Sequence, residues 1–107
     1  MNKTEISKLV EYSENGPVKK VFYDEGNIKA QIVCLKAGQR IPPCKMDYDV
    51  LFYIIEGSGE IIVDNECKNL KPGDSVIVPK EAESRSIRSE TEMVILAVQA
   101  RVKKKIK

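Results

Sequence analysis

Two sulfur atoms, two guanidinium groups and a pair of carboxylates are the groups in this chain whose types and spacing lend themselves to chemistry. Cys44 and Met46 flank Lys45, and on an extended strand residues i and i+2 point to the same face. Thiolate and thioether are soft donors of the kind that hold Cu(I). The same two side chains are also ordinary apolar fillers of a protein core. As a nucleophile Cys44 would need a base, and the 107 residues contain no histidine. Thiolate formation there would depend on a nearby cation such as Arg40, Lys45 or Arg88. Arg40 and Arg88, pointing into one cavity, could grip a carboxylate or phosphate bidentately; at a rim they would reach solvent or pair with Glu81 or Asp47. Asp47 and Asp49, with Tyr48 between them, read either as a general acid and base or as a solvated turn. Cys34 and Cys67 lie within strand patterns and read as packing residues.

The elements that must hold these groups are short. After Gly16-Pro17 the chain breaks into runs rich in Val, Ile and Tyr, at residues 18–24, 28–36, 50–56, 59–63, 75–78, 84–88 and 92–101. Turn residues separate them: Gly26-Asn27, Ala37-Gly38, Pro42-Pro43, Gly57-Ser58-Gly59, Asp64-Asn65, the segment Lys71-Pro72-Gly73-Asp74, and Pro79. Strands at this spacing with no helices between them predict an antiparallel sandwich or barrel. Gly57-Ser58-Gly59 reads as a tight reversal, Asp64-Asn65 as a hairpin tip, and Pro72-Gly73 as the centre of a type II turn. Ahead of them, Ile6, Leu9 and Val10 stand at helical spacing behind Thr4, which predicts one short peripheral helix.

Joint spacing of the glycines and prolines resembles the cupin superfamily, in particular its small single-domain conserved-barrel (cupin 2-like) proteins. The family's first motif, G-x5-H-x-H-x3-E-x6-G, falls on Gly38, Cys44, Met46, Val50 and Gly57. The second, G-x5-P-x-G-x2-H-x3-N, falls on Gly73, Pro79, Glu81, Ser84 and Arg88. The resemblance implies an all-β fold, a double-stranded β-helix or jelly roll, over roughly residues 28–98. It also implies metal ligands at the four positions held here by Cys44, Met46, Val50 and Ser84. Valine offers no donor and a neutral serine is a poor one, so the usual metal is not expected and no other cofactor is implied. Parity with the ligand positions places Arg40 on the inner side with Cys44, and Ser86 and Arg88 with Ser84. The expected ligand pocket comprises Arg40, Cys44, Met46, Val50, Tyr53, Ser84 and Arg88, with Cys44 and Met46 as the pair that a soft metal would use. The family's metal-free epimerases use a histidine, which this chain lacks.

Composition sets the remaining bounds. At 42% hydrophobic and 32% charged residues the chain fits one soluble globular domain, 1–107, with a peripheral segment at 1–16 and a basic tail at 101–107. Arg101, Lys103, Lys104, Lys105 and Lys107 carry five positive charges, so residues 1–100 are net −3 and the overall +2 is owed to the tail. A basic tail without aromatic residues reads as a solvated terminus rather than a nucleic-acid reader. No apolar run reaches the ~20 residues of a spanning helix, and the first ten residues lack a secretory pattern. Three widely spaced cysteines suggest free thiols, and a cytoplasmic location follows as the default expectation. Small cupins also imply a homodimer, with the Val94, Leu96 and Val98 row as a surface that could continue across it. The function expected is a metal-free barrel binding a small, partly apolar molecule. A divergent isomerase or oxygenase using the Cys44 and Met46 sulfurs, and a purely structural or interaction protein, are the alternatives.

Overall fold

Nine strands in two antiparallel sheets make up the fold in the computed structural model, which describes residues 1–101. They are β1 (Val18–Glu25), β2 (Ile28–Leu35), β3 (Arg40–Cys44), β4 (Asp49–Glu56), β5 (Gly59–Val63), β6 (Glu66–Leu70), β7 (Ser75–Val78), β8 (Arg85–Ser89) and β9 (Met93–Ala100). One sheet runs β1-β2-β9-β4-β7 and the other β3-β8-β5-β6. Their inner faces meet in one core that includes Leu35, Ile54, Ile61, Leu70, Ile87, Met93 and Ile95, each at most 2% exposed. This is the antiparallel two-sheet arrangement expected from the strand spacing and the jelly roll that the cupin resemblance implies. The tail beyond Arg101 lies outside the described residues. Arg101 itself pairs with Asp24.

The two strands that strand-forming patterns do not reveal, β3 and β6, are the two edges of the four-stranded sheet. Strand β3 contains Pro42-Pro43, which cannot donate to a ladder, and its register against β8 shifts between Ile41 and Cys44. Prolines are tolerated there because an edge strand has one unpaired side. Strand β6, with sequence ECKNL, is exposed at every position except Leu70. Charged edges of this kind deter pairing with other chains.

Glycine Gly57 does not close a hairpin, because β4 and β5 belong to different sheets and the chain crosses between them at residues 57–58. Gly57 has φ +84°, and a Cβ on it would stand 1.9 Å from the Glu92 carbonyl oxygen. The neighbouring loop is tied to this crossing: the Glu90 N–H donates to the Ser58 carbonyl at 2.9 Å, and the Ser58 N–H donates to Thr91 Oγ1 at 3.0 Å. Asp64-Asn65 does form the β5–β6 hairpin tip, with Val63 opposite Glu66. At the Lys71–Asp74 turn, Gly73 has φ +91° and the Asp74 N–H donates to the Lys71 carbonyl.

In place of the expected N-terminal helix there is one 3-10 turn, Ile6–Lys8, with Glu5 rather than Thr4 at its cap position and no side-chain cap. The segment is held by tertiary contacts instead. Ile6, Leu9, Val10 and Tyr12 pack on Ile32, Cys34 and Val94, on the outer face of the five-stranded sheet. Hydrogen-bonded ion pairs from Lys20 to Glu11 (2.7 Å) and from Lys36 to Glu14 (2.6 Å) fasten it, and Gln39 Nε2 donates to the Ser13 carbonyl at 2.6 Å. Val94 is therefore covered by the chain's own N-terminal segment, and Leu96 is partly buried beside it. No helix among the described residues is long and apolar enough to cross a membrane.

Candidate functional site

Inward-facing residues of the five-stranded sheet change character along the strands. Opposed pairs Val33 and Ile95, Ile54 and Ile95, and Leu35 and Met93 are apolar. Nearer the other end the rows become Gln31, Ala97 and Phe52, then Gln99 and Val50. Opposite them, Arg85 begins β8 with Cys44 of β3 as its register partner. Arg85, Gln31 and Gln99, with Cys44, Met46, Val50, Phe52, Ile41 and Ala97, line a cavity of about 90 Å³ between the sheets, and Lys19 of β1 stands at its rim.

Within this cavity Arg85 is the residue with the largest electrostatic consequence. It is 9% exposed, and its guanidinium carbon lies over the Phe52 ring, 5.2 Å from the centroid. Its Nη1 is sealed from solvent and has no hydrogen-bond partner among the described residues. Among the described residues no acidic side chain lines the cavity. An unpaired buried cation is costly, so the site carries positive potential that the protein leaves uncompensated.

The seven residues of the expected pocket do not gather in one place. Cys44, Met46 and Val50 line the cavity. Arg40, Ser84 and Arg88 line a separate groove of about 260 Å³ on the outside of the four-stranded sheet, with Ser86, Glu60 and Ile62. Tyr53, 41% exposed, lies on the outer face of β4. Ser84, Ser86 and Arg88 miss the interior because the buried positions of β8 are Arg85, Ile87 and Ser89. Arg88 pairs there with Glu60 at 2.6 Å, not with Glu81 or Asp47. Arg85, Gln31, Gln99 and Lys19 are the polar cavity residues that sequence reasoning missed, together with the apolar Phe52, Val33, Ile41 and Ala97. Alternation along β8, read from the apolar Ile87 instead of from position 84, is the signal that finds Arg85.

Asp47 and Asp49 form no acid–base pair in the cavity. Both are exposed, and Asp49 Oδ1 accepts the Lys80 N–H at 2.8 Å, securing the loop after β7. Lys45 leans on that loop too, its Nζ donating to the Ala82 carbonyl at 3.4 Å. Burial pushes the Cys34 thiol up, as desolvation outweighs the other influences on it. The exposed Cys67 thiol is also raised, by desolvation and then by its hydrogen bond to Glu60.

The metal that the family motifs imply finds no matching donor set. Of the four ligand positions, Cys44 and Met46 offer sulfur, Val50 offers none, and Ser84 lies in the outer groove. Among the described residues no group of three or more His, Cys, Asp or Glu side chains could hold an ion. A hard or borderline divalent ion does not fit these residues.

Residues 31–99 match the family model described as "Cupin domain". An uncharacterized protein of Aquifex aeolicus is 30% identical over 82 residues, which span 73% of this chain and 66% of that relative, just under two thirds of its length. A solved protein of Thermus thermophilus superposes with TM-score 0.87 at 22% identity, covering 94% of this chain and 98% of the other. An RmlC-like cupin protein from Desulfovibrio desulfuricans does so with TM-score 0.85 at 21% identity, covering 94% and 97%. At such identities the two structures speak to the fold alone.

Proposed function

This chain belongs to the cupin family, and we propose that its barrel is a metal-free module that binds a small, partly apolar molecule in the cavity between the sheets. One observation carries the reading: Arg85, Gln31 and Gln99 converge on an otherwise apolar cavity. A core position costs a polar side chain its hydration, and a few convergent polar groups over an apolar floor are the usual make-up of a ligand site. At about 90 Å³ the cavity is below the roughly 300–1,000 Å³ of drug-sized pockets, so the occupant is a few heavy atoms or one end of something longer. A larger depression of about 330 Å³ lies under the N-terminal segment, lined by Asn2, Thr4, Phe22, Tyr23, Ile28 and Ala30. None of the described residues that line it is charged, and it is the weaker candidate.

Free thiols at Cys34, Cys44 and Cys67 support a reducing, cytoplasmic setting. Homodimer formation is part of the proposal. Its support is that β7, which carries Ile77 at 69% exposure, ends the five-stranded sheet with one side unpaired. Sedimentation showing a monomer at micromolar concentration would remove that part.

Binding is tested by elemental analysis of chelator-free, reduced protein, followed by a fragment titration watched through the Met46 methyl group. Metal-free protein whose Met46 signal shifts saturably supports the module. Stoichiometric metal bound through Cys44 and Met46 would replace it with the divergent enzyme. A Met46 signal indifferent to every fragment would leave only a structural role.

A further inference from the structure

The arginines of the described residues differ in how their charge is met. Arg88 has Glu60 and Arg101 has Asp24, while Arg40 is exposed to water. Arg85 is the most buried of the four and has no carboxylate partner. We propose that the missing partner is the ligand, and that the cavity selects a small organic monocarboxylate with Arg85 as its anchor. This deepens the binding-module reading and rests on it.

Several features favour a carboxylate. A guanidinium presents its donors as a planar fork that matches two carboxylate oxygens, and the Phe52 ring beneath the guanidinium carbon of Arg85 occupies none of its donors with a hydrogen bond. The side-chain amides of Gln31 and Gln99 add hydrogen-bonding groups without adding charge. One buried cation balances one negative charge, so a dianionic phosphate would leave a charge unmet. Lys19 at the rim supplies attraction through solvent, where screening makes it weaker. The lining also includes hydrocarbon from Val33, Ile41, Val50 and Ala97, which suits a short aliphatic tail. Cys44 is the one thiol of the lining, and no histidine or carboxylate among the described lining residues stands there to activate it, so the proposal is one of recognition, without a reaction step.

The test is an NMR titration of protein labelled at the methionine methyl groups. Met46 lines the cavity and reports on it, and Met93, fully buried in the core, is the internal control for unfolding. Butyrate, its neutral isostere butyramide, and inorganic phosphate are the probes, applied to the wild type and to Arg85→Gln. Butyrate is expected to shift Met46 saturably at millimolar concentration, with butyramide and phosphate weaker by about tenfold or more, the loss that goes with one charged hydrogen bond. The same loss is expected for butyrate on Arg85→Gln. The wild-type comparison of butyrate with butyramide needs no variant, so it decides the matter even if Arg85→Gln does not fold. Equal binding of butyramide and butyrate, or undiminished butyrate binding to a folded Arg85→Gln, would overturn the carboxylate assignment and leave the module intact. Phosphate binding more tightly than butyrate would also overturn it. If no probe moves Met46, the carboxylate assignment falls, and the wider fragment titration decides the module reading.

Discussion

Replacing Arg85 by methionine is expected to stabilise the ligand-free protein while abolishing carboxylate binding. The guanidinium is 9% exposed with an unpartnered Nη1, and leaving a buried polar group unsatisfied costs about 1–3 kcal/mol. Its position over Phe52 returns about 0.5–2 kcal/mol. Methionine, unbranched and adaptable, fills much of the vacated space and keeps contact with the ring. The balance is a gain of about 1 kcal/mol. For 107 residues, an unfolding entropy of about 2.1 cal/mol/K per residue converts this to a rise of about 4–5 °C in Tm. Calorimetry and urea denaturation measure it, with an unchanged urea slope showing that only stability has altered. With butyrate at about a hundred times its Kd the order inverts, because binding adds about 2.7 kcal/mol to the wild type alone. Destabilisation of ligand-free Arg85→Met by more than about 1 kcal/mol would refute the reasoning, since that is the loss expected of a hydrogen-bonded, structural guanidinium.

Further perturbations probe the frame around the site. Gly57→Ala combines a left-handed residue with a Cβ 1.9 Å from backbone oxygen, and is expected to cost about 2–5 kcal/mol. Gly73→Ala, at φ +91° with nothing within 4 Å, should cost only the conformational part, about 1–2 kcal/mol; equal losses by chemical denaturation would contradict the crossing-point clash. A thiol reagent added to the native protein should modify the exposed Cys44 fastest and Cys67, exposed but with its thiol raised, more slowly. Cys34, buried and with its thiol pushed up, should react only on unfolding, and three equal rates would show that the N-terminal segment does not cover it. Acidification should release that segment first. Hydrogen bonding to Lys20 and Lys36 holds Glu11 and Glu14 below their ordinary 4.5, so their contribution is present above that value and is lost as pH falls through the lower folded values. Protection factors of residues 1–16 against hydrogen exchange should therefore fall below about pH 4.5, ahead of those of the strands, and unchanged protection would count against these pairs as its fastening.

Much of the fold was legible in the chain because β-strand spacing and turn chemistry are local. Seven of the nine strands carry apolar runs, and Gly73 and Asp64-Asn65 act as their types dictate. The two missed strands are edges, where one unpaired side tolerates the prolines of β3 and the charges of β6. The N-terminal segment was misread because three apolar residues at helical spacing serve equally well to lay an irregular segment on a sheet. What sequence could determine about the site was its family and its deficit, a motif whose ligand positions hold Cys44, Met46, Val50 and Ser84 in a chain without histidine. Which arginine faces inward was a tertiary matter. Strand side chains alternate with period two, so reckoning the inner face of β8 from Ser84 instead of Arg85 sends every side chain to the wrong side. The packing of Ile87 and Ser89 decides that phase: it turns Arg88 out to Glu60 and Arg85 in over Phe52.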